Sequence, residues 1–351
     1  MINVLVVEDS PVARELLLEI ISQADDIHVV GTAATGEDAI KMNIELNPDL
    51  ITMDVNLPKM NGLEATKNIM ESRPVPIIIV SSGFEPYNID HSVEVLKAGA
   101  VAIAKKPEAY GSEHYKADGD KLIQMIRLMS EIKVIKRKAP GENKKHDPNI
   151  VKPIGKSNDK IELIGIGAST GGPAIIEEIL SSLPENFSIP VVIVQHIAQG
   201  FTEGFVEWLN QKSTLKVVVA SDGMSIEPGY CYIAPDDFHL KIKYPDTLQL
   251  VNDDLVNGVK PSVSVFFESL VNTYGKNCLA ILLSGMGKDG ADKLKTLKDV
   301  GAITIAQDSS SSLIFGMPGE AVKLKAAKYV MSKEEIKSYL NGIHLKSENA
   351  K

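Results

Sequence analysis

Short apolar runs alternate with segments of helical period along most of this chain. Ile2–Val7, Ile27–Thr32, Leu50–Asp54, Pro76–Ser81 and Val101–Lys105 read as strands. Ala13–Ala24, Glu37–Leu46, Glu64–Ser72 and Ser92–Ala98 carry helical patterns between them, and a last helix follows around Asp120–Ile132. Regular βα alternation predicts a doubly wound parallel sheet. From about Glu131 the pattern stops and the chain turns basic and polar, with Lys136-Arg-Lys138, Lys144-Lys145 and three proline breaks, which is linker composition. Alternation resumes at Ile161–Ile166, with further strands expected at Ile189–Gln195, Leu215–Ala220, Tyr230–Ala234, Cys278–Leu283 and Ala302–Ala306. Leu240–Lys243 and Thr247–Val251 form an antiparallel hairpin pattern. Helices fit Thr202–Gln211, Val263–Tyr274, Asp289–Val300, Pro318–Ala326 and Lys333–Asn341. The expectation is two α/β domains, 1–130 and 160–347, joined by a linker at 131–159. The first holds a five-stranded parallel sheet and the second a doubly wound, mostly parallel sheet with the hairpin.

Composition narrows the field. The 351 residues are 44% hydrophobic and carry a net charge of −9, with a pI near 5.4. An acidic chain without zinc spacing or a helix-turn-helix argues against nucleic acid as a partner. Cys231 and Cys278 lie in apolar runs and form no C-x-x-C, so both are expected as buried thiols in a reducing compartment. No apolar run reaches membrane-spanning length, and Met1 leads straight into a strand without a secretory signal. The expected setting is the cytoplasm, without membrane insertion.

In the first domain the informative polar residues fall at the carboxyl ends of strands, where open α/β sheets bind ligands. Glu8 and Asp9 follow the first strand, Asp54 ends the third, Ser81 the fourth and Lys106 the fifth. Gathered carboxylates repel one another, and Mg²⁺ with its preference for oxygen ligands resolves that. A hydroxyl and an ammonium beside them could hold a phosphoryl group. Lys106 is preferred over Lys105 because alternation along the strand sends its neighbour to the other face. The set Val-Glu8-Asp9-Ser, Met-Asp54-Val-Asn-Leu-Pro-Lys-Met-Asn-Gly, Val-Ser81-Ser and Lys106-Pro107 resembles the receiver domain of two-component response regulators. The resemblance implies a flavodoxin-like fold, phosphorylation of Asp54, and Mg²⁺ organised by Glu8, Asp9 and Asp54. It also implies that Ser81 and Lys106 couple phosphorylation to a surface switch. Two positions depart from the pattern: Asn61 replaces the commoner aspartate, and Ile103 stands where an aromatic residue is frequent.

The second domain opens on Ile161-Glu-Leu-Ile-Gly-Ile-Gly-Ala-Ser169-Thr-Gly-Gly-Pro173, a strand, a glycine turn and a helix start. Ser169 is thereby placed at a strand end, beside free N–H groups at a helix N-terminus. Three readings compete for this turn. It is a helix cap, or a dinucleotide fingerprint, or a nucleophile elbow of the G-x-S-x-G type. The fingerprint fits poorly: Thr170 stands where its third glycine belongs, and Gln195-His196 where its acid belongs. A serine nucleophile needs a base, and His196 ends the adjacent strand. Asp222, Asp236, Asp289 and Asp308 all follow strands, and spacing alone does not choose among them; Asp289 also reads as a helix N-cap.

Ser169-Thr-Gly-Gly-Pro, Gln195-His196 and Ser-Gly-Met286-Gly-Lys-Asp289-Gly resemble the catalytic domain of the chemotaxis protein-glutamate methylesterases, which also carry a receiver and a linker. The resemblance implies that Ser169 is the nucleophile, His196 the base and Asp289 its orienting acid. It puts the Met286 N–H on the oxyanion and Thr170 beside the site. The implied activity is phosphorylation-controlled hydrolysis of glutamate γ-methyl esters on chemoreceptors, releasing methanol, with deamidation of glutamine as a companion. A chemotaxis histidine kinase would donate the phosphoryl group, and hydrolysis itself would need no metal. The rival expectations are a receiver fused to an idle receptor-binding module and, more remotely, a nicotinamide oxidoreductase. The remaining histidines have no place in the pattern; His239, opening the hairpin, is expected to be structural.

Overall fold

The computed structural model describes residues 1–81, 98–108, 111–112, 115–130, 134, 161–197 and 200–348, with side chains to residue 343 in the last helix. The expected helix at Ser92–Ala98 and the expected linker lie outside the described residues, apart from Ala98 and Val134. The chain divides into two compact units, 1–143 and 144–351.

The first unit runs β1 (Ile2–Val7), α1 (Pro11–Ser22), β2 (Ile27–Ala33), α2 (Gly36–Leu46), β3 (Leu50–Met53), α3 (Gly62–Ser72), β4 (Ile77–Ser81), β5 (Ala102–Lys105) and α4 (Tyr115–Ser130). Its five strands pair in parallel in the order β2-β1-β3-β4-β5. Alternation along β1 feeds two cores. Val4 and Val6 pack with Leu17, Ile20 and Ile126 on one face. Leu5 and Val7 pack with Met53, Ala65 and Ile69 on the other. The helices start where short polar residues can cap them. Ser10, Thr35 and Asn61 each accept an N–H from the first turn that follows. Asparagine caps as well as aspartate, so the departure at Asn61 leaves this start intact: its Oδ1 takes Glu64 N–H at 2.8 Å.

The second unit runs β6 (Leu163–Ala168), α5 (Gly172–Ser182), β7 (Val191–Gln195), α6 (Thr202–Asn210), β8 (Lys216–Val219), β9 (Tyr230–Ile233), β10 (His239–Lys243), β11 (Thr247–Val251), α7 (Val263–Thr273), β12 (Cys278–Leu282), α8 (Ala291–Asp299), β13 (Ile303–Gln307), α9 (Met317–Lys323), β14 (Tyr329–Met331) and α10 (Lys333–Glu348). Seven strands form one parallel sheet in the order β14-β13-β12-β6-β7-β9-β8. β10 and β11 form the expected hairpin as a separate two-stranded ribbon. β14 is an addition to the sequence reading; three residues are too short to show a period. Cys231 and Cys278 are buried free thiols, and burial pushes both up, Cys278 to about 12.

β6 lies between β12 and β7, so the loops after these three strands meet at one point. The strand glycines serve packing rather than a phosphate. A Cβ on Gly165 would come within 2.6 Å of Leu270 Cδ1, and one on Gly167 within 2.3 Å of Val263 Cγ1. Their absence lets α7 lie directly against β6 and brings its N-terminus under the Ser169 turn.

Candidate active site

The register Ala168↔Gln195 sets Ser169 and His196 at adjoining strand ends. His196 N–H donates to Ala168 C=O at 2.9 Å. From β12, Ser284 C=O accepts Ser169 N–H at 3.0 Å, tying the third strand end to the same turn. Gln195, almost wholly buried, binds both turns. Its Nε2 donates to Ser169 C=O at 2.9 Å and to His196 C=O at 2.8 Å. Ser284 Oγ donates to Thr170 C=O at 2.8 Å and accepts Ile314 N–H at 2.9 Å.

Of the four candidate acids, the structure brings Asp289 to His196, with Oδ2 3.0 Å from Nε2. Asp222, Asp236 and Asp308 spend their carboxylates elsewhere: on Leu250 N–H, on Gly200 N–H and the Thr202 hydroxyl, and on Ser311 N–H. Asp289 does not cap its own helix. It is buried against the N-terminus of α7, where Oδ1 accepts from Ser262 Oγ at 2.8 Å, Asn257 Nδ2 at 2.8 Å and Ser264 N–H at 3.2 Å. Oδ2 accepts Val263 N–H at 2.6 Å. Burial opposes ionisation, but the bonds from His196, Asn257 and Ser262 more than offset it and hold the carboxyl well below the usual range. A carboxylate can only accept, so the neutral imidazole carries its proton on Nε2 and leaves Nδ1 as the basic nitrogen.

Ser169, Thr170 and Met286 are partly exposed beside this pair. The hydroxyls of Ser169 and Thr170 and the N–H of Met286 engage no partner among the described residues. The arrangement can activate a hydroxyl and receive a developing oxyanion.

Asn257, Ser262 and Gln195 escaped the sequence reading as functional residues. Ser262 shows a helix-cap signal before Val263, and Asn257-Gly258 a turn signal, with φ of 55° and 79°. Neither signal names a carboxylate some 30 residues further along the chain as its target.

The first unit gathers a second polar site. A carboxylate oxygen from each of Glu8, Asp9 and Asp54 lies within 4.8 Å of the others. Lys106 Nζ sits 2.7 Å from Glu8 Oε2 and 2.9 Å from Asp54 Oδ2. Burial opposes the charge on Lys106, but the two carboxylates hold its pKa above the ordinary value. Burial pushes Glu8 up, with Asp54 adding to it against the pull of Lys106. Lys105 points away and pairs with Glu108 at 2.9 Å on the exposed side. Ser81 is buried at the end of β4, and its C=O accepts Lys106 N–H at 3.0 Å. Ile103 is half-buried against the core around Ile79.

A five-stranded parallel sheet with acids and a lysine at its carboxyl edge, followed by a parallel α/β unit with a serine, a histidine and a buried carboxylate, defines a receiver joined to a serine-hydrolase-like domain. Residues 4–112 match the response regulator receiver domain and residues 164–340 the CheB methylesterase domain. The chain is 46% identical over 342 residues (96% of each chain) to protein-glutamate methylesterase/protein-glutamine glutaminase 1 of Syntrophus aciditrophicus. It is 44% identical to the protein-glutamate methylesterase/protein-glutamine glutaminase of Nitrosospira multiformis, over 98% of this chain and 97% of that one. The solved methylesterase catalytic domain of Thermotoga maritima CheB matches 52% of this chain and 99% of its own, at 36% identity and a TM-score of 0.51. The chain belongs to the CheB methylesterase family, with a receiver domain at its N-terminus.

Proposed function

We propose that this chain is a phosphorylation-controlled serine esterase that hydrolyses glutamate γ-methyl esters on chemoreceptors and deamidates glutamines at similar positions. Ser169 Oγ attacks the γ-carbonyl carbon while His196 Nδ1 takes its proton. The carbonyl oxygen turns toward the Met286 N–H as its charge develops. His196 returns the proton to the methoxy oxygen, methanol leaves, and the glutamyl acyl group stays on Ser169. Water then attacks this ester with His196 again as base, freeing glutamate and restoring the hydroxyl. A glutamine amide follows the same route with ammonia as leaving group. The observation carrying this reading is the 3.0 Å bond from Asp289 to His196 Nε2 at the strand end adjoining Ser169.

In the receiver, Asp54 is the proposed phosphoacceptor, with a chemotaxis histidine kinase as donor in the cytoplasm. Three converging carboxylates suit a hard divalent ion. Glu8, Asp9 and Asp54 would hold Mg²⁺, which supplies charge neutralisation for the incoming phosphoryl group. Lys106 stands ready to bond the modified Asp54, and Ser81 ends the neighbouring strand. No helix among the described residues is long and apolar enough to cross a membrane.

Methanol release from methylated receptor membranes tests the reading. The wild-type chain should turn over and Ser169→Ala should not, while Asp54 of the variant still accepts phosphate from a small donor. Receptor binding without turnover by the wild-type chain would leave only the idle binding module.

A further inference from the structure

His239 opens the hairpin and is fully buried, yet both ring nitrogens are committed to backbone groups. Nε2 lies 2.9 Å from Asp254 C=O, and Nδ1 lies 3.1 Å from Ser262 N–H. A carbonyl can only accept and an amide N–H can only donate. The ring is therefore neutral, protonated on Nε2 and bare at Nδ1.

These two contacts are the two ends of one loop. Between Asp254 and Ser262 the chain folds back on itself through reciprocal bonds between Val256 and Val259, at 3.2 and 3.1 Å. The tip carries Asn257, and the loop runs into α7. Asn257, Ser262, Val263 and Ser264 supply four of the five donors on Asp289; His196 is the fifth. Ser262 has a double task, since its hydroxyl donates to Asp289 and accepts Val265 N–H as the helix cap. With Ser262 wholly buried, its own N–H has His239 as partner and no water to replace it.

We propose that His239 is a positioning residue of the hydrolytic site, stapling the base of the 254–262 loop so that its donors fix the carboxylate that orients His196. The inference rests on the esterase reading above. It assigns no contact with substrate to His239; the effect travels through Ser262 and Asp289.

Asparagine and glutamine separate the two nitrogens, because Asn Oδ1 takes the place of Nδ1 and Gln Nε2 the place of Nε2. In the full chain, His239→Gln keeps the donor toward Asp254 but withdraws the acceptor from Ser262 N–H. Its kcat should fall about ten- to a hundredfold with KM unchanged, and the downfield proton resonance of the His196–Asp289 bond should shift or broaden. His239→Asn keeps the acceptor and should restore kcat to within about threefold of wild type. Equal activities for the two variants, whether both intact or both reduced in proportion to folded protein, would overturn the inference. On the wild-type chain, which avoids any folding defect, ¹⁵N shifts should show His239 protonated on Nε2 with Nδ1 as acceptor; a proton on Nδ1 would equally overturn it. Loss of wild-type turnover, or turnover that survives Ser169→Ala, would instead strike the esterase reading.

Discussion

At the scale of single residues the carboxylate of Asp289 carries a dense set of contacts: it accepts five bonds and offers none. An amide in its place must turn an NH₂ toward groups that are themselves donors. Asp289→Asn is therefore expected to cost stability as well as rate: about 2–4 kcal/mol, and roughly 10²–10⁴ in kcat through a misoriented imidazole. The pH dependence follows from the lowered carboxyl pKa. A depressed folded value contributes stability above the unfolded value, and the contribution is lost as pH falls toward the folded one. Urea unfolding should show a constant gap between wild type and Asp289→Asn from pH 7 to about 5, narrowing below about 4. A gap that closes between pH 7 and 6 would mean that another group titrates. Gln195 supplies a second case. Gln195→Met keeps the bulk but removes the N–H clamp on Ser169 and His196, and should slow acylation of Ser169 by a small ester about tenfold. Gln195→Glu should be worse, because a carboxylate would face two carbonyl oxygens.

At the scale of elements, loop closure over Asp54 depends on one missing methyl group. A Cβ on Gly62 would fall 1.9 Å from Asp54 C=O, and Gly62 N–H donates to Val55 C=O at 2.9 Å. Gly62→Ala must push α3 away from the loop that carries Asp54. The expected result is a loss of about 1–3 kcal/mol and slower labelling of Asp54 by a small phosphodonor in Mg²⁺, with Ser169 reactivity retained. Normal labelling would show that the loop has room. The elements themselves were largely legible, because buried parallel strands are written as unbroken apolar runs and their helices as periodic ones. So were the polar residues at strand ends, since topology puts them on one edge. Other features left no such mark. β14 has three residues, and the Gly165-x-Gly167 spacing that hinted at a nucleotide reflects the close approach of α7. Spacing left four aspartates open and the family resemblance singled out Asp289; the loop before α7 supplies the physical reason, in the donors it gathers on that carboxylate.

At the scale of the whole molecule, the residues proposed for phosphorylation and for hydrolysis belong to separate sheets. Asp54 stands on the first and Ser169 on the second, and the two units have distinct cores. We propose that the receiver controls the esterase through how it engages the catalytic unit or their common substrate, an equilibrium that modification of Asp54 would bias. Phosphorylation adds charge and acceptor oxygens next to Lys106, whose ammonium now serves Glu8 and Asp54 together. The prediction is that a fragment beginning near Lys160 outpaces the unphosphorylated full chain in methanol release. The solved Thermotoga maritima catalytic domain, which aligns over nearly its whole length with this half, supports testing that fragment by itself. A small phosphodonor with Mg²⁺ should raise the full chain toward the fragment's rate, whereas Asp54→Ala should hold it at the basal rate in either condition. If fragment, unphosphorylated chain and phosphorylated chain release methanol equally fast, the receiver does not restrain the esterase. If only the phosphorylated chain is fast and the fragment is slow, the receiver acts as an activator rather than a restraint, and its role lies in delivering the substrate.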